Sequence, residues 1–211
     1  FISIIFMIIC YSNNFLPHTI QIGNQLVAIE SLIYPLGIFV LLAESNSTNL
    51  TDGLDGLLSG CSVLIFTGLA ITILLENPIN TETLAPLCIV MAGANMGFLF
   101  LNKYPAKLFM GDSGSLAIGA SLAGIALISN NLWSILIMGG ILLAESLSVI
   151  VQVSVFKISK GITGKGKRLF LMAPIHHHFE LKGNNESLIV SSFWFITLLL
   201  VIINLRFFIK L

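Results

Sequence analysis

The chain has 211 residues, 56% of them hydrophobic and 9% charged, and its ten lysines and arginines balance ten acids. Soluble domains carry about 25% charged residues, so a chain with mean hydropathy +0.98 cannot cover itself with a solvated surface. Composition therefore excludes an ordinary soluble domain, and without a basic arm there is no ground for expecting nucleic acid as a partner.

In chain order, residues 1–10 (FISIIFMIIC) read as the end of an apolar helix already under way. They are too few to span a bilayer and lack the basic flank of a signal peptide. With Phe1 in first place, the chain is expected to be part of a longer one. Residues 12–25 are polar and turn-rich, and HTIQIGNQLVAI alternates around Gly23-Asn24, the pattern of a small hairpin. Apolar runs of spanning character follow at about residues 31–42, 57–75, 84–101, 116–128, 132–156 and 188–208. The expected fold is an all-α, polytopic transmembrane helix bundle of six spans plus the partial first one. Residues 1–211 would form a single integral membrane domain. Cys10, Cys61 and Cys88 lie in or beside apolar runs at unrelated spacings and read as small hydrophobes.

Charge gives the orientation. Lys103 and Lys107 lie in one connection, and Lys157, Lys160, Lys165, Lys167, Arg168 and Lys182 in another, two crossings away. The positive-inside rule puts both on the cytoplasmic side. Parity carries NLTDGLDG to the same face. The intervening loops, residues 12–30 and 76–83, contain acids but no lysine or arginine.

Three polar clusters converge on that face. In NSTNLTDGLDGL, a helical backbone would put Asp52 and Asp55 on one side. Gly53, Gly56 and Gly60 allow other backbone or a ligand to approach. Acids near a membrane interface are expensive unless they meet a polar cavity, a cation or a partner. The plainer alternative is that Asn49 or Thr51 caps the next helix. In NKYPAKLFMGDSGS, Asp112 and Ser113 stand where an apolar helix begins, a place for a cap or for a hard cation such as Mg²⁺. Phe109 could present its ring to a base or anchor at the interface, and Lys103 and Lys107 could serve phosphate or the interface alike.

The third cluster is LFLMAPIHHHFELKG, a polar loop with three consecutive histidines. Pro174 disfavours helix at Ala173. Consecutive side chains point in different directions, which disfavours zinc; imidazoles can instead hydrogen-bond phosphate near neutral pH. The cationic run KISKGITGKGKR suits a polyanionic ligand or anionic lipid, and equally simple anchoring. Carboxylates for a hard metal, with imidazoles and lysines for phosphate, suit metal-assisted phosphoryl transfer. The apolar walls suggest that one substrate is a lipid.

On NLTDGLDGL, PAKLFMGDSGSLAIG, ESLSVIVQVSVFK and GKRLFLMAPIHHHFELKG, the chain resembles the phospho-N-acetylmuramoyl-pentapeptide transferase family. That family belongs to the polyprenyl-phosphate N-acetylhexosamine-1-phosphate transferase superfamily. The resemblance implies transfer of phospho-N-acetylmuramoyl-pentapeptide from UDP to undecaprenyl phosphate, giving lipid I and UMP. It also implies Mg²⁺ as cofactor and a bacterial inner membrane with the active site facing the cytoplasm. A homodimer is among the assemblies it allows. By matching motif, Asp52, Asp55, Asp112, His176, His177 and His178 would be catalytic. Asp112 and Asp52 would hold the metal, while Asn49, Gly53, Asn102 and Phe109 would bind substrate, with Phe109 stacked on uracil.

The family carries an early aspartate pair in a D-D-x-x-K context, and this chain has no adjacent aspartates. The chain is therefore expected to be a C-terminal portion, without the first three helices and most of a fourth, and to be inactive alone. Three alternatives stay open: a sister transferase using UDP-N-acetylglucosamine, a secondary transporter, and, for a partial chain, a non-catalytic scaffold. APIHHHFE argues against the first. Polar residues strung through the bundle would mark the second; polar residues gathered at one rim would mark a transferase.

Overall fold

The computed structural model describes residues 1–17, 19–22, 25–28, 30–76 and 81–208. Helix α1 (Ile2–Ser12) is followed by β1 (Thr19–Ile22) and β2 (Gln25–Ala28). The two strands pair antiparallel, Thr19 opposite Ala28 and Ile22 opposite Gln25, so the expected hairpin is present. Its Gly23-Asn24 centre lies outside the described residues. Among the described residues a 3-10 turn (Glu30–Leu32) and eight further α-helices follow: α2 (Ile33–Thr51), α3 (Leu57–Glu76), α4 (Thr81–Asn102), α5 (Gly111–Ile128), α6 (Leu132–Met138), α7 (Gly140–Thr163), α8 (Ile175–Leu181) and α9 (Glu186–Phe208).

Among the described residues, five helices (α3, α4, α5, α7 and α9) are long and apolar enough to cross a membrane. The protein is thus a multi-pass helical bundle, as its composition demands, but the expected count of six spans needs correction. Helix α2 has the length, at 19 residues, yet its second half is AESNSTNLT, which dilutes its hydropathy below that of a span. The expected single span over residues 132–156 is broken: α6 ends at Met138, Gly139 makes the joint, and α7 begins at Gly140.

Helix α3 is the axis of the bundle. Of its apolar window 78% is buried, against 22% for α7. Lipid tails are as apolar as leucine, so helices in a membrane associate through close packing of small residues. At Gly68 a Cβ would stand 2.7 Å from both Met138 Sδ and Val201 Cγ1, and at Gly60 it would run into the Trp194 indole. The same indole donates its Nε1–H to the Gly56 carbonyl at 3.2 Å, pinning α9 to the start of α3. Helices α2 and α5 touch at Gly119, where a Cβ would collide with the Glu44 carbonyl oxygen and Thr48 Oγ1.

A candidate active site at one end of the bundle

The polar half of α2 continues helically to Thr51, and the chain turns over residues 52–56 before α3 starts. Asp52 and Asp55 therefore sit on a turn, which corrects the expectation of one shared helical face. Nor do Asn49 and Thr51 cap α3. Thr51 Oγ1 donates back to the Ser47 carbonyl at 2.7 Å. Asn49 Nδ2 leaves its own helix and donates to Asp112 Oδ1 and Ser115 Oγ, both at 3.0 Å. Asp112 lies in the first turn of α5, whose N-cap position is taken by Met110 without a side-chain cap.

Asp55 fastens the other side of the turn. Its Oδ2 accepts from the Ala106 backbone N–H at 2.8 Å, and its own N–H donates to Glu186 Oε1 at 2.8 Å. Asn102 is buried at the end of α4. Its Oδ1 accepts from Gly56 N–H at 3.1 Å and from the Ser59 hydroxyl at 2.8 Å, while Nδ2 donates to the Leu108 carbonyl at 3.0 Å. The Asn102 amide is thus engaged by protein on both ends. Replacing Asn102 with Ala would strand the partners of that amide at a cost of about 3 kcal/mol. At roughly 2–4 °C per kcal/mol for a chain of this size, thermal unfolding in detergent should come about 6–12 °C earlier.

These elements enclose a cavity of about 290 Å³. Asn49, Asp52, Gly53, Asp55, Asn102, Phe109 and Asp112 all line it, joined by Leu54, Met110 and Gly111. Seven residues singled out from sequence therefore share one space, although α2, the 52–56 turn, the end of α4, the segment before α5 and the first turn of α5 supply them from distant stretches of chain. Phe109 is 79% exposed, leaving its ring face free at the cavity mouth. Gly111 adopts φ +67°, which lets the chain enter α5 directly behind it.

The cavity disfavours two bare negative charges. The Asp52 carboxyl is pushed up to about 6, first by burial and then by repulsion from Asp112. A divalent cation between the two would relieve that repulsion, so the donor set fits a hard metal. Among the described residues, no group of three or more His, Cys, Asp or Glu could hold a metal. Two carboxylates suffice for Mg²⁺, which keeps several waters and takes substrate phosphate oxygens as its remaining ligands.

The three histidines lie on α8, a two-turn helix beginning after Pro174, where a loop had been expected. They do point apart. His176 is fully buried, with Nδ1 3.1 Å from Glu145 Oε2 on α7, and its ring abuts Gly53 of the cavity turn. His177 Nδ1 lies 2.8 Å from Glu180 Oε2 on the half-exposed side of α8. His178 Nδ1 accepts the Leu171 N–H at 3.1 Å and stacks edge-on against Phe170 and Phe179. Only His176 reaches the carboxylate turn.

Sequence reading missed Ser115, Glu145, Gln152, Glu186 and Trp194. A lone acid inside an apolar helix was the available signal for Glu145. The others mark themselves only by contacts made across the bundle.

A model of glycosyl transferase family 4 matches residues 1–130. The phospho-N-acetylmuramoyl-pentapeptide-transferase of Prochlorococcus marinus (strain NATL2A) is 81% identical over 209 residues, covering 99% of this chain and 56% of that protein. The protein of the same name from Synechococcus sp. (strain CC9605) is 59% identical over 174 residues, covering 82% of this chain and 50% of the relative. The chain spans about half the length of the curated relatives it matches. With residues 1–130 of its 211 matched to the family model, the chain belongs to glycosyl transferase family 4.

Proposed function

We propose that this chain carries the nucleotide-diphosphate site of a membrane phosphoglycosyl transferase. The reaction moves phospho-N-acetylmuramoyl-pentapeptide from UDP to undecaprenyl phosphate, releasing UMP and forming lipid I, at the cytoplasmic face of a bacterial inner membrane. The observation that carries this reading is the gathering of Asp52, Asp55, Asp112, Asn49 and Phe109 around one cavity at one rim of the bundle. A transporter would instead string such residues along a path through the membrane.

Asp112 and Asp52 would hold Mg²⁺, which when bound neutralises charge on the donor diphosphate. Asn49 steers the Asp112 carboxylate by donating to Oδ1, leaving Oδ2 free for the cavity. Asp55 holds the turn at residues 103–106 against the start of α3, which sets the cavity floor. Phe109 offers an exposed ring on which uracil can stack. The acceptor is a phosphate monoester, largely anionic at pH 7, so its oxygen can attack without losing a proton to the protein. In-line attack then needs positioning and charge neutralisation more than a general base.

Donor choice tests the reading. In detergent micelles with undecaprenyl phosphate and Mg²⁺, the longest reading frame containing these residues should use UDP-N-acetylmuramoyl-pentapeptide and leave UDP-N-acetylglucosamine untouched. Preference for the second donor would make the protein a sister transferase. The 211 residues alone, lacking a paired-aspartate motif, are expected to be inactive in the same assay.

A further inference from the structure

We propose that Glu145 is a positioning residue for this site: it holds the buried imidazole of His176, which in turn sets the 52–56 turn. The inference rests on the transferase reading and adds a residue that acts through another.

Glu145 and His176 are both fully buried, and Nδ1 approaches Oε2 to 3.1 Å. The approach is not aligned as a hydrogen bond: both Glu145 oxygens and both His176 ring nitrogens are buried without a hydrogen-bond partner. Buried polar atoms left unmatched are costly, and a buried ionic pair seldom outperforms apolar residues of the same volume. Stability therefore does not account for the pair.

Its location does. On the far side from Glu145, the His176 ring abuts Gly53, where an added Cβ would meet Nε2 and would stand 2.7 Å from Cε1. Gly53 lies between Asp52 and Asp55 and lines the cavity. A displacement of the ring is thus passed to the backbone that carries Asp52. Two turns further along α7, Gln152 fixes the approach to α8. Its Oε1 accepts the Leu169 and Phe170 N–H groups at 3.0 and 2.9 Å, and Nε2 donates to the Phe170 carbonyl at 3.0 Å. Helix α7 is the rail, Gln152 and Glu145 are its two grips on the histidine segment, and His176 is the wedge between rail and turn.

The test uses the longest reading frame containing these residues, with kcat, donor KM and thermal unfolding measured for Glu145→Leu, Glu145→Gln and Gly53→Ala. Misplacing a reacting group by about 1 Å can cost about 10²-fold in rate. Glu145→Leu should therefore lower kcat by about that factor while donor KM stays within about threefold. Glu145→Gln keeps a polar side chain of the same length beside Nδ1, where Oε2 now stands at 3.1 Å, and should recover about tenfold of the loss. Gly53→Ala displaces the ring from the other side, so it should cost a similar factor, and adding it to Glu145→Leu should cost little more.

A wild-type kcat in Glu145→Leu, or a loss explained by earlier unfolding and not rescued by Glu145→Gln, overturns the proposal, as do fully additive losses. Absence of transfer by the wild type with either donor would sink the transferase reading instead. The ¹⁵N resonances of the His176 imidazole would then still test the pair: a shift in Glu145→Leu supports it, and an unchanged ring overturns it.

Discussion

Asp112→Asn is expected to lower the rate of lipid-linked product formation by about 10³-fold, the upper end of what removing one preorganised charge stabiliser costs. The substitution is a clean probe because the asparagine keeps an oxygen to accept the Asn49 Nδ2–H bond now made to Oδ1 at 3.0 Å. The α2–α5 contact should survive, and only the negative charge is lost. Asp112 is exposed on the first turn of α5, so no buried void is created and thermal unfolding should move little. Initial rates with labelled donor, read together with unfolding temperature, separate charge from fold. A variant within about tenfold of wild type would remove Asp112 from the chemistry.

Gly119→Val is expected to damage both fold and activity. A Cβ at Gly119 would collide with the Glu44 carbonyl oxygen and Thr48 Oγ1 on α2. A backbone carbonyl cannot swing aside as a long side chain can, so the helices must separate. Overpacking of this kind costs typically 1–3 kcal/mol or more, a fall of about 2–12 °C in unfolding temperature for a chain of this length. Separation also opens the Asn49 bonds to Asp112 and Ser115, each 3.0 Å long, and the transfer rate should drop about 10²-fold. Gly93→Val is the control, since a Cβ at Gly93 meets nothing within 4 Å. Equal behaviour of the two variants would mean that the α2–α5 approach does not set the site.

The helical, membrane-embedded character of the chain was legible because hydropathy is a local property of each run. Convergence of the polar clusters was legible too: two crossings return a chain to the same side whatever the helices do between. Asn49 meeting Asp112 across 63 residues bears out that parity reading. Local polarity misled where it conflicted with packing. AESNSTN reads as the end of a span, yet α2 continues through it because its polar side chains find partners: Ser47 with Ser146 at 2.8 Å, Thr48 with its own preceding turn, and Asn49 with α5. The histidine run reads as a loop because Pro174 breaks what precedes it, but a proline at an N-cap position also starts a helix. The break at Gly139 was hidden inside continuous apolar sequence. Glu145, Glu186 and Trp194 were hidden for a different reason, since their work is done against residues more than thirty positions away.

Under the proposed function, the cavity between the 52–56 turn and the start of α5 takes the uridine diphosphate of the donor. Photolabelling with a donor carrying an azide on the uracil ring tests it most directly, using the longest reading frame containing these residues and mapping modified peptides by mass spectrometry. Label is expected at and around Phe109, lost when excess unlabelled donor or a metal chelator is added, and weakened in Asp112→Asn. Label concentrated elsewhere in the bundle, or label at Phe109 that neither donor nor chelator diminishes, would contradict it.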